Sequence, residues 1–151
     1  MKIEKILEEF VGECKKKFKE NLVSIVLFGS YARGEFKEES DVDLLVILNE
    51  LPDSWKERTK LFEGLVDEIW KKYKKYIEII PLTKEETLEN LKDKTPLFLT
   101  FLLGMKVLYD SEFFTPEFRK FASEVSKDEF IYVDKEDREW RLKELAIKYL
   151  Q

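Results

Sequence analysis

The sequence predicts an α/β (α+β) fold, and three observations carry that expectation. Two short runs, 22–28 and 41–48, are almost wholly apolar and rich in β-branched residues, the pattern of strands buried on both faces. The longer segments around them space apolar residues three and four apart, as amphipathic helices do. The last third of the chain reads as helix-like segments, so a helical C-terminal extension is expected.

Ile3, Ile6, Leu7, Phe10, Val11, Cys14 and Phe18 form one stripe of a first helix running to about Asn21. Cys14 lies on that stripe and reads as a small core residue, not a reactive thiol. The first strand, Leu22 to Phe28, stops abruptly at Gly29, and the second, Asp41 to Leu48, begins with two acids. Ser54 with Glu57 opens a long second helix whose stripe is Phe62, Leu65, Val66, Ile69, Trp70 and Tyr73. Its basic tail, Lys71 to Lys75, suits the negative end of a helix dipole. Tyr76 to Ile80 reads as a short third strand ended by Pro81, with Glu78 as its only charge.

Thr83 with Glu86 caps a further helix. Helical patterns follow at Pro96 to Met105, from Pro116 behind a Thr115 cap, and from about Asp134 to Leu150. The stretch Asp110 to Pro116 is the expected seam, giving a core over 1–110 and an extension over 111–151 packed on it.

At 151 residues the chain supports one substantial core, and 44% hydrophobic with 39% charged residues excludes a disordered polymer. The longest apolar run falls well short of the roughly 20 residues a membrane helix needs. One cysteine and no histidine leave neither an internal disulfide nor the usual zinc ligands, which fits a reducing cytoplasmic setting. A net charge of −5 supplies no global basic field, so a polyanion must be met by a local patch or a metal. The Lys- and Glu-dominated composition, with Gln151 the only glutamine, is thermophile-like.

Side chains alternate across a strand, so Asp41 and Asp43 face one way with Cβ atoms about 6 to 7 Å apart. Both reach one shared ion, and hard carboxylate oxygens select magnesium or manganese. An isolated Asp-x-Asp is most often a pair of solubilising acids at a strand end, but here a Gly29-Ser30 turn follows the other buried strand. That turn opens a short helix through Tyr31, Ala32 and Arg33, so backbone N–H groups and the Ser30 hydroxyl converge where a triphosphate would fit. Glycine at 29 admits phosphate oxygens close to the backbone, and Arg33 adds a planar bidentate donor. No Gly-Lys-Ser/Thr follows, so this is not a P-loop. An Asp-x-Asp-x-Thr phosphatase is disfavoured because position 45 is leucine.

Gly29-Ser30-Tyr31-Ala32-Arg33-Gly34 followed by Ser40-Asp41-Val42-Asp43-Leu44 resembles the signature of minimal nucleotidyltransferases in the DNA polymerase beta-like superfamily. The family pattern is Gly-Ser, ten residues, then Asp-x-Asp, and positions 31–40 supply the ten. The resemblance covers roughly residues 1–110. It implies a mixed sheet flanked by helices and transfer of a nucleoside monophosphate to an acceptor hydroxyl with release of pyrophosphate. It further implies two magnesium ions, or manganese, held by Asp41 and Asp43, and a triphosphate, ATP expected, bound by Ser30 and the Gly29 turn with help from Arg33. A third carboxylate belongs on the next core strand; it carries over to Glu78, where the family more often has aspartate, as metal ligand or general base.

The acceptor is not readable from the residues. Family members are often paired with small helical HEPN-type proteins in toxin–antitoxin systems, and some adenylate a hydroxyl on that partner, so a HEPN-type partner is expected by resemblance. Nucleic acid as acceptor and homo-oligomerisation stay open. The alternative is a catalytically silent antitoxin that neutralises its partner by occlusion. The apolar block Leu97, Phe98, Leu99, Phe101, Leu102 and Leu103 fits core burial best, and the aromatic-rich C-terminal segment covers the core, meets a partner or builds a dimer.

Overall fold

Ile6, Leu7, Phe10 and Cys14 recur at helical spacing, and the same four are buried on one face of α1 (Lys2–Phe18), which a single 3-10 turn extends to Asn21. The coordinates are a computed structural model describing residues 2–151. Strands β1 (Leu22–Phe28), β2 (Val42–Leu48), β3 (Ile77–Thr83) and β4 (Lys106–Asp110) make one sheet of order β3-β2-β1-β4. β1 runs antiparallel to β2 and to β4, whereas β2 and β3 are parallel, so the sheet is mixed.

Both central strands are buried on both faces, which is why their sequences read as continuous apolar runs. On one face Ile25, Leu44 and Val46 pack against α1 and against Phe62 and Ile69 of α3 (Trp55–Tyr73). On the other, Val26, Leu45 and Ile47 pack against α4 (Lys84–Lys92), α5 (Pro96–Phe101), α6 (Phe114–Val125) and α7 (Leu142–Lys148). Phe98, Phe101, Phe114 and Phe118 form the aromatic centre of this second core. The 97–103 block is thus largely interior, and residues beyond 110 share one core with the sheet.

The structure departs from the sequence reading in four places. β3 continues through Pro81 to Thr83; proline is tolerated because β3 is an edge strand. Helix α5 stops at Phe101 and a fourth strand, β4, follows. Helix α6 is capped by Asp110, whose carboxylate accepts from the amides of Phe113, Phe114 and Thr115, and not by Thr115. The segment expected to be helical from Asp134 is instead a two-stranded hairpin, β5 (Ile131–Val133) with β6 (Glu139–Arg141), and the helix starts only at Leu142. Asp134 accepts from the backbone amides of Glu136 and Arg138 and turns the chain back before a helix can form.

Candidate active site at the head of the central strands

The register of the sheet assembles the predicted residues. Phe28, the last residue of β1, pairs with Asp43, and Asp43 pairs in turn with Glu78 of β3. Gly29, next after Phe28, therefore lies against Asp43. It begins the short helix α2 (Gly29–Arg33), with φ of +76°, and an added Cβ would collide with Asp43 Oδ2 and stand 3.0 Å from Cγ. Only glycine meets both the left-handed backbone and the close approach. Gly34, also left-handed, ends α2, with its amide and that of Glu35 donating to the Ser30 carbonyl.

Asp43 lies on the same sheet face as Leu45 and Ile47, and Glu78 on the same face as Leu82. Asp41 stands just before β2 and is exposed, as is Glu78; Asp43 is half-buried between them. Burial, then the charges of Glu78 and Asp41, push the Asp43 carboxyl up to about 6, with Arg33 acting in the opposite direction. A half-buried carboxylate crowded by two others gains from a divalent cation, and carboxylate oxygens are the donors magnesium takes. Among the described residues no group of three or more acidic or cysteine side chains is already arranged as a cage for an ion. Magnesium commonly completes one or two protein carboxylates with substrate phosphates.

The loop delivering Asp41 is pinned from outside. Lys75 donates to the carbonyls of Glu38 and Ser40 at 2.7 and 3.1 Å, and its ammonium sits 5.3 Å from the ring of Tyr31, which stacks on Phe36 at 4.4 Å.

Gly29, Ser30, Arg33 and Asp43 line one cleft of about 640 Å³; Asp41 and Glu78 flank Asp43 outside that lining. Arg33 is paired through Nε with Glu35 Oε1 at 3.1 Å. The far wall of the cleft comes from the β5–β6 hairpin, chiefly Tyr132, Asp134, Arg138 and Trp140, none of which the sequence reading placed at the site. The signal that pointed to them was the alternation of Ile131-Tyr132-Val133 and Glu139-Trp140-Arg141 on either side of an Asp-rich turn.

Known proteins of the same kind bear on this geometry. Residues 7–98 match the nucleotidyltransferase domain family. A protein of Methanocaldococcus jannaschii named for protein adenylyltransferase activity is 39% identical over 141 residues, covering 93% of this chain and 94% of its own. Protein adenylyltransferase MntA of Thermococcus cleftensis is 48% identical over 50 residues, covering 33% of this chain and 48% of its own. The fold matches a chain in the crystal structure of a toxin–antitoxin pair with AMP-PNP, at TM-score 0.50 and 19% identity over 78% of this chain and 82% of that one. It also matches a chain of the complex between a tri-AMPylated Shewanella oneidensis HEPN toxin and its MNT antitoxin, at TM-score 0.51 and 15% identity over 82% and 87%. No helix among the described residues is long and apolar enough to cross a membrane. With the Gly-Ser turn and the acidic strand head meeting in one cleft, and with a family match over more than half its length, this chain belongs to the nucleotidyltransferase domain family.

Proposed function

We propose that this protein transfers an adenylyl group from ATP to a hydroxyl side chain of a partner protein, releasing pyrophosphate. The observation that carries the reading is the packing of Gly29 against the Asp43 carboxylate, which joins a phosphate-binding turn and an acidic strand head in one nucleotide-sized cleft. Adenylate as the group and protein as the acceptor are supported by the name of the relative that spans nearly the whole chain. A HEPN-type protein is the first acceptor to test, since chains of this fold occur in complexes with HEPN toxins.

In this reading Asp41 and Asp43 hold magnesium, two ions in all, with Glu78 as a third carboxylate. Bound magnesium supplies charge neutralisation to the triphosphate and the departing pyrophosphate. The Ser30 hydroxyl and the free amides at the start of α2 hold the triphosphate, and Arg33 exchanges Glu35 for a phosphate oxygen. The acceptor oxygen attacks the α-phosphorus in line, and the bond to the oxygen bridging the α- and β-phosphates breaks. Pyrophosphate leaves, and the hydroxyl proton passes to a carboxylate, with Glu78 the exposed candidate beside Asp43. Residues 1–110, through β4, are the transfer core, and 111–151 are an extension packed on it.

The test is incubation with α-labelled ATP, magnesium and a co-purified HEPN-type protein. Label on the partner and free pyrophosphate are expected, both lost in Asp43→Asn. Undiminished labelling by Asp43→Asn would overturn the assignment. A partner silenced by the wild-type protein without acquiring label would instead favour neutralisation by occlusion.

A further inference from the structure

Tyr132 and Trp140 are cross-strand partners in the C-terminal hairpin, so both rings lie on one face of it. That face lines the cleft and packs on the core, while Ile131 and Val133 on the other face are exposed. The hairpin is held at its base by the Leu142 amide, which donates to the Phe130 carbonyl at 3.0 Å. Within it, Asp134 Oδ2 accepts from Trp140 Nε1 at 2.9 Å and Arg138 Nε at 2.7 Å, fixing indole and guanidinium together. Arg138 also reaches across the cleft, its Nη1 lying 3.4 Å from Glu35 Oε2, while the other Glu35 oxygen accepts from Arg33 at 3.1 Å. A carboxylate therefore sits between two guanidiniums, one from the phosphate turn and one from the hairpin.

We infer that this hairpin is the nucleotide-recognising wall of the cleft: Arg138 is a second arginine for the triphosphate, Glu35 is the anion both arginines hold until nucleotide arrives, and the Tyr132–Trp140 pair faces the nucleoside. The inference rests on the adenylyl-transfer reading and deepens it. The two contacts to Glu35 are the exchangeable ones, because solvent-exposed ion pairs are weak and a triphosphate offers more charge, while Asp134 keeps Arg138 Nε in place and leaves its terminal nitrogens to turn to phosphate. Glu35 is a competitor of the phosphate chain in this scheme, which gives it a sign opposite to that of an ordinary structural acid. Aromatic faces supply base contact without demanding one base, so the pair contributes affinity more than choice among purines.

The experiment uses the full chain with magnesium and measures ATP and AMP affinity by calorimetry, and Trp140 emission in a Trp55→Phe/Trp70→Phe background. Those two tryptophans lie on α3, which packs against the other face of the sheet. ATP is expected to change Trp140 emission. Arg138→Ala is expected to weaken ATP about tenfold, the loss of one charge-assisted pair, and AMP much less. Arg138→Lys should fall between. Glu35→Gln should tighten ATP, an outcome that a merely structural role for Glu35 does not produce. Unchanged ATP affinity in Arg138→Ala, with Trp140 emission unmoved at saturating ATP, would overturn the inference and leave adenylyl transfer standing. A raised KM for the protein acceptor at constant ATP affinity would likewise overturn it, assigning the hairpin to the acceptor. Absence of ATP binding by the folded wild-type chain would sink both readings.

Discussion

Gly29 and Asp43 are fourteen positions apart in sequence, yet the glycine backbone lies directly on the aspartate carboxylate. The antiparallel pairing of Phe28 with Asp43 forces this contact, and the left-handed backbone at Gly29 leaves no room for a side chain. Gly29→Ala is therefore expected to displace the Asp43 carboxylate as well as strain the turn, by about 1–2 kcal/mol for the backbone alone. Adenylyl transfer should fall at least about a hundredfold, since misplacement by an ångström at a reacting centre has that effect. Far-UV circular dichroism should stay near wild type. Transfer within a few-fold of wild type in a folded Gly29→Ala chain would contradict the arrangement.

Asp43 is held under like charge by Asp41 and Glu78, so magnesium should act as a stabiliser of the fold. In thermal scans magnesium is expected to raise the wild-type Tm and leave Asp43→Asn unmoved. In EDTA the Asp43→Asn chain should melt above wild type, because one of three crowded negative charges is gone. A wild-type Tm indifferent to magnesium would speak against a cation site here.

Arg58 is the one strongly buried cation of the described residues, at 4% exposure, and both oxygens of Glu86 receive it, at 2.7 and 3.0 Å. The Arg58 hydrogen bonds hold the Glu86 carboxyl below its ordinary range. Glu86 also closes the Thr83 capping box, so α3, β3 and α4 meet at this pair. Glu86→Ala leaves the guanidinium only the Pro52 and Pro81 carbonyls and, with Glu86 itself about one-third open to solvent, should lower stability by about 1–2 kcal/mol in urea titration. Replacing Arg58 as well, by leucine, should recover part of that loss, because the buried member of the pair then no longer lacks its counter-charge.

Asp110 caps α6 and accepts from Ser24 of β1 at 2.7 Å. Burial acts to raise its carboxyl, but the Thr115 and Phe114 amides and the Ser24 hydroxyl outweigh it, leaving it below the ordinary 3.8. A depressed carboxyl stabilises the fold above the unfolded value and loses that contribution as pH falls through the folded value. Acid titration of stability should therefore show a loss beginning near pH 4 and deepening below it, with a shallower limb in Asp110→Ala. At neutral pH the same variant should be less stable by about 1–2 kcal/mol, the ordinary effect of a lost helix cap.

The parts of the site legible in the sequence were those fixed by local pattern. Both central strands announced themselves because burial on two faces leaves no polar alternation to confuse with a loop, and the Gly29-Ser30 and Asp41-x-Asp43 spacing sits at their paired ends. Glu78 came from the family resemblance, and the parallel register of β2 and β3 sets it beside Asp43. What escaped were a strand paired with a distant segment and two aspartates that capture nearby amides. β4 is a five-residue strand directly behind an apolar block, and the local break between them, Gly104, fell inside the stretch read as helix. The hairpin turn is made by the Asp134 side chain capturing two amides, in a stretch read as helix because the apolar stripe from Leu142 onward was extended back to it. Asp110 looked like the start of a linker although the amides it caps lie only three to five residues on; only its contact with Ser24, 86 positions earlier, needed the sheet to be seen.

Pro81 carries one more consequence. It lies on the outermost strand, where it has no amide hydrogen to offer, and its carbonyl is already occupied by Arg58 Nη1 at 3.3 Å. The rim of the sheet is thus blunted at its midpoint, and a second chain cannot zip onto it along an unbroken ladder. Edge-to-edge addition of another strand is disfavoured at that rim by one imino acid and one guanidinium.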